Sequence, residues 1–361
     1  MNTELVNIIF GMKIRQARLE ADLTLSEFAQ RCDLSPSYIT EIEKGRKYPK
    51  TDKILKMTEV LDKSYDELVS LKLSPPLQHL ESMLSSPLLQ QFPFEAFDLE
   101  ASTLVNLFTR APVKASALLH TILEIGRQYD MKHEHFLRAA LRSYQELQEN
   151  YFHDIEAAAI EFAARYDISN NLPINIASLS SILEQDFGYQ LDEAHLSTNT
   201  DLSYYRFVYV NGPRPKLLLN PNLQENQLKF LIARELGYQF LDLKERASTS
   251  TPEQVDSFEQ LLNDFKASYF AGALLIPQRA ILADFREFFQ RSTWSPEPLL
   301  AILKRYDITP EMLLCRLSEL LPQFLGLRLH FHRFHKTNSE FKLVKQLNMN
   351  RFLSPSGIAL H

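Results

Sequence analysis

The stretch "FLIARELGYQFL", residues 230–241, places a carboxylate beside two positions that lie one helical turn apart. Histidines at those two positions would give H-E-x-x-H, in which two imidazoles bind zinc and the glutamate is the general base. Arg234 and Tyr238 stand there instead, and Glu235 keeps the place of the base. An arginine stays protonated at physiological pH and has no lone pair for a metal. The sequence therefore predicts the helix of a zinc hydrolase without its zinc ligands.

Two extended segments and a second helix accompany this motif. Residues 204–211 and 215–220 are rich in β-forming residues and are separated by an Asn-Gly-Pro turn, which predicts two short strands. Residues 263–277, "NDFKASYFAGALLIP", continue as a helix. Between about residues 168 and 280, this combination resembles the ImmA/IrrE-type metallopeptidase domain. The resemblance rests on three features: the "LLLN" segment, the degenerate zinc motif, and a helix with an acidic ligand followed by F-A-x-x-L-L-x-P.

By this resemblance Arg234 and Tyr238 occupy the first two ligand positions, Glu235 the catalytic position, and Asp264 the third ligand position. Catalytic zinc needs three protein ligands and an open site for water, which one carboxylate and one phenol do not supply. Without the metal, water is not acidified and Glu235 has nothing to deprotonate. We therefore expect no metal, no catalytic residue and no enzyme activity. Arg234 is expected to pair with Asp264 through two parallel hydrogen bonds; the alternative is that Arg234 binds an anionic ligand in the former cleft.

The N-terminal segment carries five bursts of helically spaced apolar residues between positions 12 and 71. In the second burst, Thr24 and Glu27 form the pattern of a capping box. The third begins at Ser35, a good N-cap, followed by Pro36 at the first helical position. Gly45 suits the residue just beyond the end of that helix. These signals predict a bundle of five short helices.

The third of these helices presents polar residues outward near its start. Because Ile39 and Ile42 are expected to point inward, four residues are left facing solvent: Ser37, Tyr38, Thr40 and Glu41. The segment "LTLSEFAQRCDLSPSYITEIEKGRKYPK" resembles the Xre or lambda-repressor-like helix-turn-helix. The resemblance implies that Pro36, Ser37 and Glu41 lie at base-contacting positions and that Glu43 is structural. The sequence departs from the family at Asp33, where glycine is usual, and at Leu25, which is often glutamine.

A basic stretch follows the third helix. Residues 1–72 carry twelve acids and twelve bases, yet residues 44–56 contain six bases and only one acid, Asp52. Lysines and arginines concentrated in this way predict contacts with DNA phosphates, although a solvated charge run is the alternative. The candidate DNA-binding residues are Thr24, Pro36, Ser37, Tyr38, Thr40, Glu41, Lys44, Arg46 and Lys47. Glu41 is expected to favour a cytosine amino group.

The middle of the chain is predicted to be helical. A boundary is expected near residues 74–87, where prolines and serines cluster, followed by amphipathic helices at 111–130 and 132–167. The second of these carries an apolar stripe made of Phe136, Ala139, Ala140, Tyr144 and Leu147. A second helix or a sister subunit is expected to cover this stripe. Dimerisation through these helices would bring two helix-turn-helix units to two half-sites one DNA turn apart.

The predicted fold class is mainly α with a small β component, that is, α+β. Four parts are expected: a five-helix helix-turn-helix domain at 1–72, a linker and helical dimerisation or sensor segment at 73–166, a degenerate ImmA/IrrE-like domain of the zincin type at 167–290, and a C-terminal helical plus β-hairpin extension at 291–361. In that extension, alternation of apolar and polar residues around "KTNSE" predicts a β-hairpin.

Composition limits the class of protein. Net charge is −6 and 45% of residues are hydrophobic, which fits ordinary packed cores and gives no global attraction to nucleic acid. Cys32 and Cys315 fit neither a disulfide framework nor a metal knuckle, which favours a reducing cytoplasm. A long uncharged apolar stretch is missing from the sequence, so no membrane association is expected.

Nearly the whole chain resembles the short-chain fatty acid metabolism regulators. That resemblance implies a transcription factor, and some members of the group respond to acyl-coenzyme A. The C-terminal cysteines that often hold a metal or iron–sulfur cluster in the group are missing here, so no cofactor is expected beyond an acyl-CoA-like effector. We expect a cytoplasmic homodimer or higher homo-oligomer that binds a double-stranded DNA operator. The alternatives are an active metallopeptidase that cleaves a partner repressor, and a protein-interaction module in phage or toxin–antitoxin control.

Overall fold

A computed structural model of the chain describes residues 3–70, 133–169, 172–198, 204–250, 257–327, 331–336 and 341–347, with a few separate residues between these ranges. The chain divides into two compact units, residues 1–140 and 141–361, and each is considered by itself. The described residues are mainly helical with a small sheet and a hairpin, so the predicted α+β class is confirmed. None of the helices in these ranges is long and apolar enough to cross a membrane.

The first unit contains the five predicted helices: α1 (Thr3–Glu20), α2 (Leu25–Arg31), α3 (Pro36–Glu43), α4 (Thr51–Leu61) and α5 (Tyr65–Val69). Their shared core includes Phe10, Phe28, Ile39, Ile42 and Met57, all at most 2% exposed. The first helix begins at Thr3, well before the predicted start near residue 12. The extra turns form because Ile8, Ile9 and Phe10 are buried and extend the apolar face of α1.

The helix-turn-helix geometry depends on backbone conformations that the sequence signals predicted. Thr24 caps α2 in a complete capping box with Glu27, and Ser35 caps α3 by accepting a hydrogen bond from the Tyr38 amide. Gly45 lies just beyond α3 with φ +71°. Asp33, where the family usually has glycine, adopts φ +55°, so the turn keeps the left-handed conformation without glycine. Aspartate tolerates this region better than most residues.

After residue 132, the described ranges contain nine helices, the first of which crosses the boundary between the two units. They are α6 (His133–Leu147), α7 (His153–Arg165), α8 (Ile176–Gln185), α9 (His195–Thr198), α10 (Glu225–Phe240), α11 (Phe258–Leu275), α12 (Gln278–Phe289), α13 (Glu297–Tyr306) and α14 (Pro310–Leu325). The strands in the same ranges are β1 (Gln190–Asp192), β2 (Phe207–Val210), β3 (Lys216–Leu219), β4 (Phe331–Lys336) and β5 (Phe341–Leu347). β3 pairs in parallel with β1 and antiparallel with β2. β4 and β5 form the predicted antiparallel hairpin.

The predicted single helix at 132–167 is wrong. The chain instead forms α6 and α7, because Glu149 and Asn150 both adopt left-handed conformations, with φ +51° and +57°. The predicted stripe is also wrong in detail, since Leu137 is fully buried while Leu147 is 65% exposed. The predicted boundary at 74–87 and most of the predicted helix at 111–130 lie outside the described residues.

Helices α10 and α11 pack against each other in the centre of the second unit. A Cβ on Gly237 would lie 2.9 Å from Cδ1 of Phe270 and 3.1 Å from the Ala267 carbonyl, so only glycine permits this close approach. α10 is buried on nearly all sides from Leu231 to Tyr238, which explains why its sequence lacks a clear polar face. This contact places the degenerate zinc motif of α10 beside the acidic residue of α11.

Candidate functional site

The third helix of the first unit presents the predicted face. Ile39 and Ile42 are fully buried in the core, as expected. Pro36 and Ser37 are exposed, and four of the other candidates are half-buried: Tyr38, Thr40, Glu41 and Lys44. The inward orientation of Ile39 and Ile42 is therefore confirmed, whereas three of the four residues expected to face solvent are only partly exposed. The base contacts assigned to these residues stay predictions.

Side chains along α3 already have hydrogen-bond partners within the protein. The Thr40 hydroxyl donates to the Pro36 carbonyl at 2.9 Å, and the Ser37 hydroxyl lies 3.2 Å from that of Ser35. A carboxylate oxygen of Glu41 lies 3.4 Å from Nη1 of Arg46. The Arg46 guanidinium therefore partly neutralises the Glu41 carboxylate.

The basic stretch after α3 is organised around Tyr38. Nζ of Lys53 lies 4.1 Å from the centroid of the Tyr38 ring, and Nζ of Lys47 lies 6.0 Å from it. Cation–π contacts of this kind orient a flexible lysine without neutralising its charge. Lys56 differs, because its Nζ lies 3.0 Å from the Asp33 carboxylate. Lys56, like Arg46 beside Glu41, is thus partly neutralised by an acid of the same unit.

Thr24 is exposed, but its side chain serves the helix cap. Its hydroxyl accepts from the Glu27 amide at 3.2 Å, and its own amide donates to the Glu27 carboxylate at 2.8 Å. Hydrogen bonds from the side chain and the amide of Thr24 to the Glu27 carboxylate lower the pKa of Glu27. The DNA contact predicted for Thr24 therefore has to coexist with its capping role.

Glu43 has the structural role that the resemblance implied. Its carboxylate accepts hydrogen bonds from Nε of Arg18 at 2.6 Å and from Nη2 of Arg18 at 3.0 Å. Both side chains are less than 10% exposed. Arg18 also donates to the Leu23 carbonyl at 2.8 Å. This buried fork joins the end of α3 to α1 and to the start of the α1–α2 connection.

The ion pair predicted at the former metal site is present. Nη2 of Arg234 on α10 lies 2.5 Å from Oδ1 of Asp264 on α11, and the Tyr238 hydroxyl donates to the same oxygen at 3.0 Å. The two-bond fork that we expected is not formed, since a single hydrogen bond joins Arg234 and Asp264. The two side chains differ in burial, because that of Asp264 is 41% exposed and that of Arg234 10%.

A second arginine, which the sequence analysis missed, engages the catalytic position. Nη1 and Nη2 of Arg246 lie 2.6 and 2.7 Å from the two carboxylate oxygens of Glu235. Both side chains are buried, at 8% and 2% exposure. Arg246 follows α10 in a segment without regular structure, and no periodicity or motif in the sequence marks it as a partner of Glu235. The sequence shows two basic residues shortly after the helix, Lys244 and Arg246, and nothing in it selects Arg246 as the partner.

Charge states at this site are fixed by burial and by the ion pairs. Burial lowers the pKa of Arg234, but the charge of Asp264 and of its other neighbours outweighs burial and holds it above the usual value. The pKa of Arg246 is likewise raised, because hydrogen bonds to Glu235 and its charge outweigh burial. Burial, then the charge of Asp264, raises the pKa of Tyr238 well above its usual value. Both arginines are therefore cationic and the phenol is neutral at physiological pH.

The residues present do not fit the zinc ion of a metallopeptidase. Two of the three ligand positions hold a guanidinium and a protonated phenol, and the third carboxylate is bonded to both. Zinc requires unprotonated nitrogen, sulfur or oxygen donors in tetrahedral array. Across the described residues no group of three or more His, Cys, Asp or Glu side chains is arranged to hold a metal.

A five-helix bundle with a capped, exposed third helix and a lysine-rich connection after it defines a helix-turn-helix DNA-binding protein. Comparison with known proteins agrees. Residues 14–68 match the family described as "Helix-turn-helix", and residues 192–318 match the family described as "IrrE N-terminal-like domain". Control protein C.BamHI of Bacillus amyloliquefaciens is 35% identical over 60 residues, which span 16% of this chain and 74% of that protein. The chain belongs to the Xre-type helix-turn-helix family and carries an IrrE-like domain.

Two further similarities extend beyond the helix-turn-helix. The HTH-type transcriptional regulator RamB of Mycobacterium tuberculosis, from strains CDC 1551 / Oshkosh and ATCC 25618 / H37Rv, is 24% identical over 351 residues, covering 92% of this chain and 69% of RamB. A solved structure titled "Mycobacterium tuberculosis transcriptional regulator" aligns with TM-score 0.41 at 19% identity, covering 58% of this chain and 61% of that chain.

Proposed function

We propose that this chain is a sequence-specific, ligand-responsive transcriptional regulator whose peptidase-like domain is catalytically inactive and acts as a sensor. The observation that carries the proposal is a pair of ion contacts, Arg234–Asp264 and Arg246–Glu235, at the positions of the metal and the base in a zinc hydrolase. Arginine offers no lone pair to a metal, and a glutamate held in a buried fork is not free to accept a proton from water.

DNA recognition is assigned to α3 and the basic stretch after it. Ser37 and Glu41 select bases, and the Glu41 carboxylate accepts from the amino group of cytosine. Lys44, Arg46 and Lys47 bind phosphates and set the register of the helix in the major groove. The similarity to RamB, a transcriptional regulator that aligns over most of this chain, supports regulation of transcription as the role.

The effector is proposed to be a short-chain acyl-coenzyme A or a related metabolite, on the basis of the resemblance to short-chain fatty acid metabolism regulators. The chain acts as a homodimer, which brings two helix-turn-helix units to two half-sites about one DNA turn apart. An effector changes DNA binding only by having different affinities for the arrangements that bind and do not bind the operator.

An operator selected from random duplexes with the purified full chain tests the DNA-binding part. The double variant Ser37→Ala/Glu41→Ala is expected to lose preference for the selected sequence while keeping its melting temperature. Arg165→Ala, which removes an exposed arginine of α7 in the second unit, is the control and is expected to bind like the wild type. An unchanged sequence preference in the double variant would contradict the assignment of α3.

Titrating the same operator with and without propionyl-coenzyme A tests the sensor part. Allosteric coupling typically changes affinity by about 5–150-fold. Free coenzyme A is the control for the acyl group, because it keeps the nucleotide and phosphates. Equal operator affinity under all three conditions, across a set of short acyl chains, would refute acyl-coenzyme A as the effector.

The inactive-domain part is tested by metal content and proteolysis. Purified chain loaded with zinc and then dialysed is expected to retain less than stoichiometric metal and to leave an unfolded casein substrate intact. Glu235→Gln serves as the matched variant, because it removes the base that a metallopeptidase needs. Cleavage by the wild type that disappears in Glu235→Gln would establish the peptidase and overturn this part of the proposal.

A further inference from the structure

The guanidinium of Arg246 is enclosed by a set of side chains that match its chemistry. Its two terminal nitrogens bind the two oxygens of Glu235 at 2.6 and 2.7 Å. Its carbon lies 3.7 Å from the centroid of the Tyr209 ring and 4.2 Å from that of Tyr238. A carboxylate fork and aromatic rings are the two features that distinguish a guanidinium site from a simple cation site.

Tyr189 completes this enclosure. Its hydroxyl donates to the Glu235 carboxylate at 3.4 Å and accepts from Nε2 of Gln239 at 2.8 Å, so it helps to hold the carboxylate in place. The Glu235 side chain is only 2% exposed. We call Tyr189, Tyr209, Glu235 and Tyr238 the guanidinium receptor.

Arg246 reaches this receptor on a strap, residues 246–250, that pairs with a strand edge. The Tyr209 amide donates to the Ser248 carbonyl at 2.7 Å, and the Ser250 amide donates to the Phe207 carbonyl at 3.3 Å. Val208 and Thr249 form an antiparallel bridge. The strap therefore pairs with β2 along the edge opposite to β3, through an isolated bridge.

We propose that the guanidinium receptor is a binding site for an arginine side chain, which Arg246 fills from within the chain. The strap is then an internal ligand: its backbone covers the edge of β2, and its arginine occupies the receptor. An extended peptide can replace it if it carries an arginine two residues before the residue that accepts the Tyr209 amide. In strand addition of this kind, main-chain hydrogen bonds give affinity and a side-chain pocket gives specificity.

Arg246, as the internal ligand, competes with any external peptide for the guanidinium receptor. A tethered strap has a high effective concentration at the receptor, so an external peptide competes poorly while Arg246 is in place. Removing Arg246 leaves the carboxylate and the aromatic rings in position and vacates the receptor. This proposal goes beyond the regulator function, and it holds whichever effector the protein binds.

Chemical rescue of the full-length Arg246→Ala variant tests the receptor. Methylguanidinium chloride at millimolar concentration is expected to raise the melting temperature of this variant and to leave the wild type unchanged. Methylammonium chloride at the same concentration is the matched probe, because it carries the charge without the planar fork, and it is expected to have no such effect. In Arg246→Ala/Glu235→Leu, which lacks the carboxylate, the methylguanidinium effect is expected to disappear.

A labelled peptide with the strap's own sequence, ERASTS, gives a second readout. It is expected to bind Arg246→Ala in fluorescence anisotropy, to bind the wild type at least about tenfold more weakly, and to lose its affinity when its arginine is replaced by lysine. If Arg246→Ala does not fold, Arg246→Lys is used, since its ammonium keeps a cation beside Glu235. Equal stabilisation by methylguanidinium and methylammonium, or rescue that persists without Glu235, would overturn the proposal.

Discussion

Arg234 and Asp264 form an ion pair in which the cation is buried and the acid is half-exposed. The Arg234 side chain is 10% exposed against 41% for Asp264, and one hydrogen bond of 2.5 Å joins them. The guanidinium carbon also lies 4.9 Å from the centroid of the Phe207 ring. The loss of unfolding free energy on substituting either residue therefore depends on the burial of the arginine and not on that of the carboxylate.

The first prediction is an asymmetry between the two halves of this pair. Asp264→Ala leaves a buried guanidinium without its partner, which is expected to cost about 3–5 kcal/mol of unfolding free energy. Arg234→Met leaves an acid that water already reaches, so we expect a loss of about 1 kcal/mol. Urea unfolding followed by far-ultraviolet circular dichroism measures both. A larger loss for Arg234→Met than for Asp264→Ala would contradict this account.

Local signals made the first unit predictable. Caps at Thr24 and Ser35, proline at position 36 and glycine at position 45 are short-range rules, so they hold whatever the rest of the chain does. The left-handed conformation of Asp33 shows that the turn geometry persists even where the usual glycine is replaced. The degenerate zinc motif was equally visible, because its spacing along α10 fixes which residues share one face.

Long-range partners were not predictable from the sequence. Arg246 reaches Glu235 because the segment after α10 turns back along β2, and no periodic pattern encodes that path. The break between α6 and α7 was missed for a different reason. Apolar spacing continues through residues 148–152, while Glu149 and Asn150 leave the helical conformation. Asparagine is one of the residues that tolerate the left-handed conformation at a helix end, so Asn150 was the local signal for this break.

The second prediction concerns Glu43 in the helix-turn-helix unit. Glu43→Ala is expected to strand the buried Arg18 and to cost about 3–5 kcal/mol of unfolding free energy. Glu41→Ala is the matched control, because Glu41 is half-buried and pairs loosely with Arg46 at 3.4 Å. We expect the control to keep its stability within about 0.5 kcal/mol and to change operator preference instead. Equal stability losses in thermal unfolding would contradict the separation of structural and DNA-contacting glutamates.

The third prediction uses salt to identify phosphate contacts. Lys47→Ala is expected to reduce the slope of log affinity against log salt by about 1, because one phosphate contact is lost. Lys63→Ala is the control, because Nζ of Lys63 lies 3.7 Å from the Glu20 carboxylate and 3.3 Å from the Glu67 carboxylate, on helices other than α3. Its loss is expected to leave the slope unchanged. Binding of one duplex across a salt series measures both slopes. Identical slopes for Lys47→Ala and the wild type would place the basic stretch away from DNA.

The fourth prediction compares two Gly→Ala substitutions, one in which steric packing outweighs helix propensity and one in which it does not. Alanine is favoured over glycine within a helix by about 1 kcal/mol, so Gly→Ala in a helix normally stabilises. A Cβ on Gly11 would lie 2.2 Å from the Ile42 carbonyl oxygen, a backbone atom that cannot yield without moving α3. Gly11→Ala is therefore expected to lower the melting temperature and weaken DNA binding. Gly272→Ala in α11, where a Cβ meets nothing within 4 Å in the described residues, is the control and is expected to stabilise the chain.

The fifth prediction rebuilds the metal site. Arg234→His/Tyr238→His restores two imidazoles one turn apart, with Asp264 as the third donor, so the variant is expected to gain zinc. The retained Arg246 cation, 4.2 Å from the ring at position 238, disfavours a divalent ion there. Adding Arg246→Leu is therefore expected to strengthen zinc binding further, in competition against a chelator.

Cobalt provides the geometric check on this rebuilt site, because its absorption spectrum reports tetrahedral coordination directly. The triple variant is expected to show that spectrum at one equivalent, the double variant at higher cobalt concentration, and the wild type neither. All three proteins keep Asp264 and Glu235. Differences in cobalt affinity among them therefore measure how strongly Arg234, Tyr238 and Arg246 oppose metal binding. Wild-type protein that binds stoichiometric zinc or cobalt as tightly as the triple variant would show that these side chains do not exclude the metal.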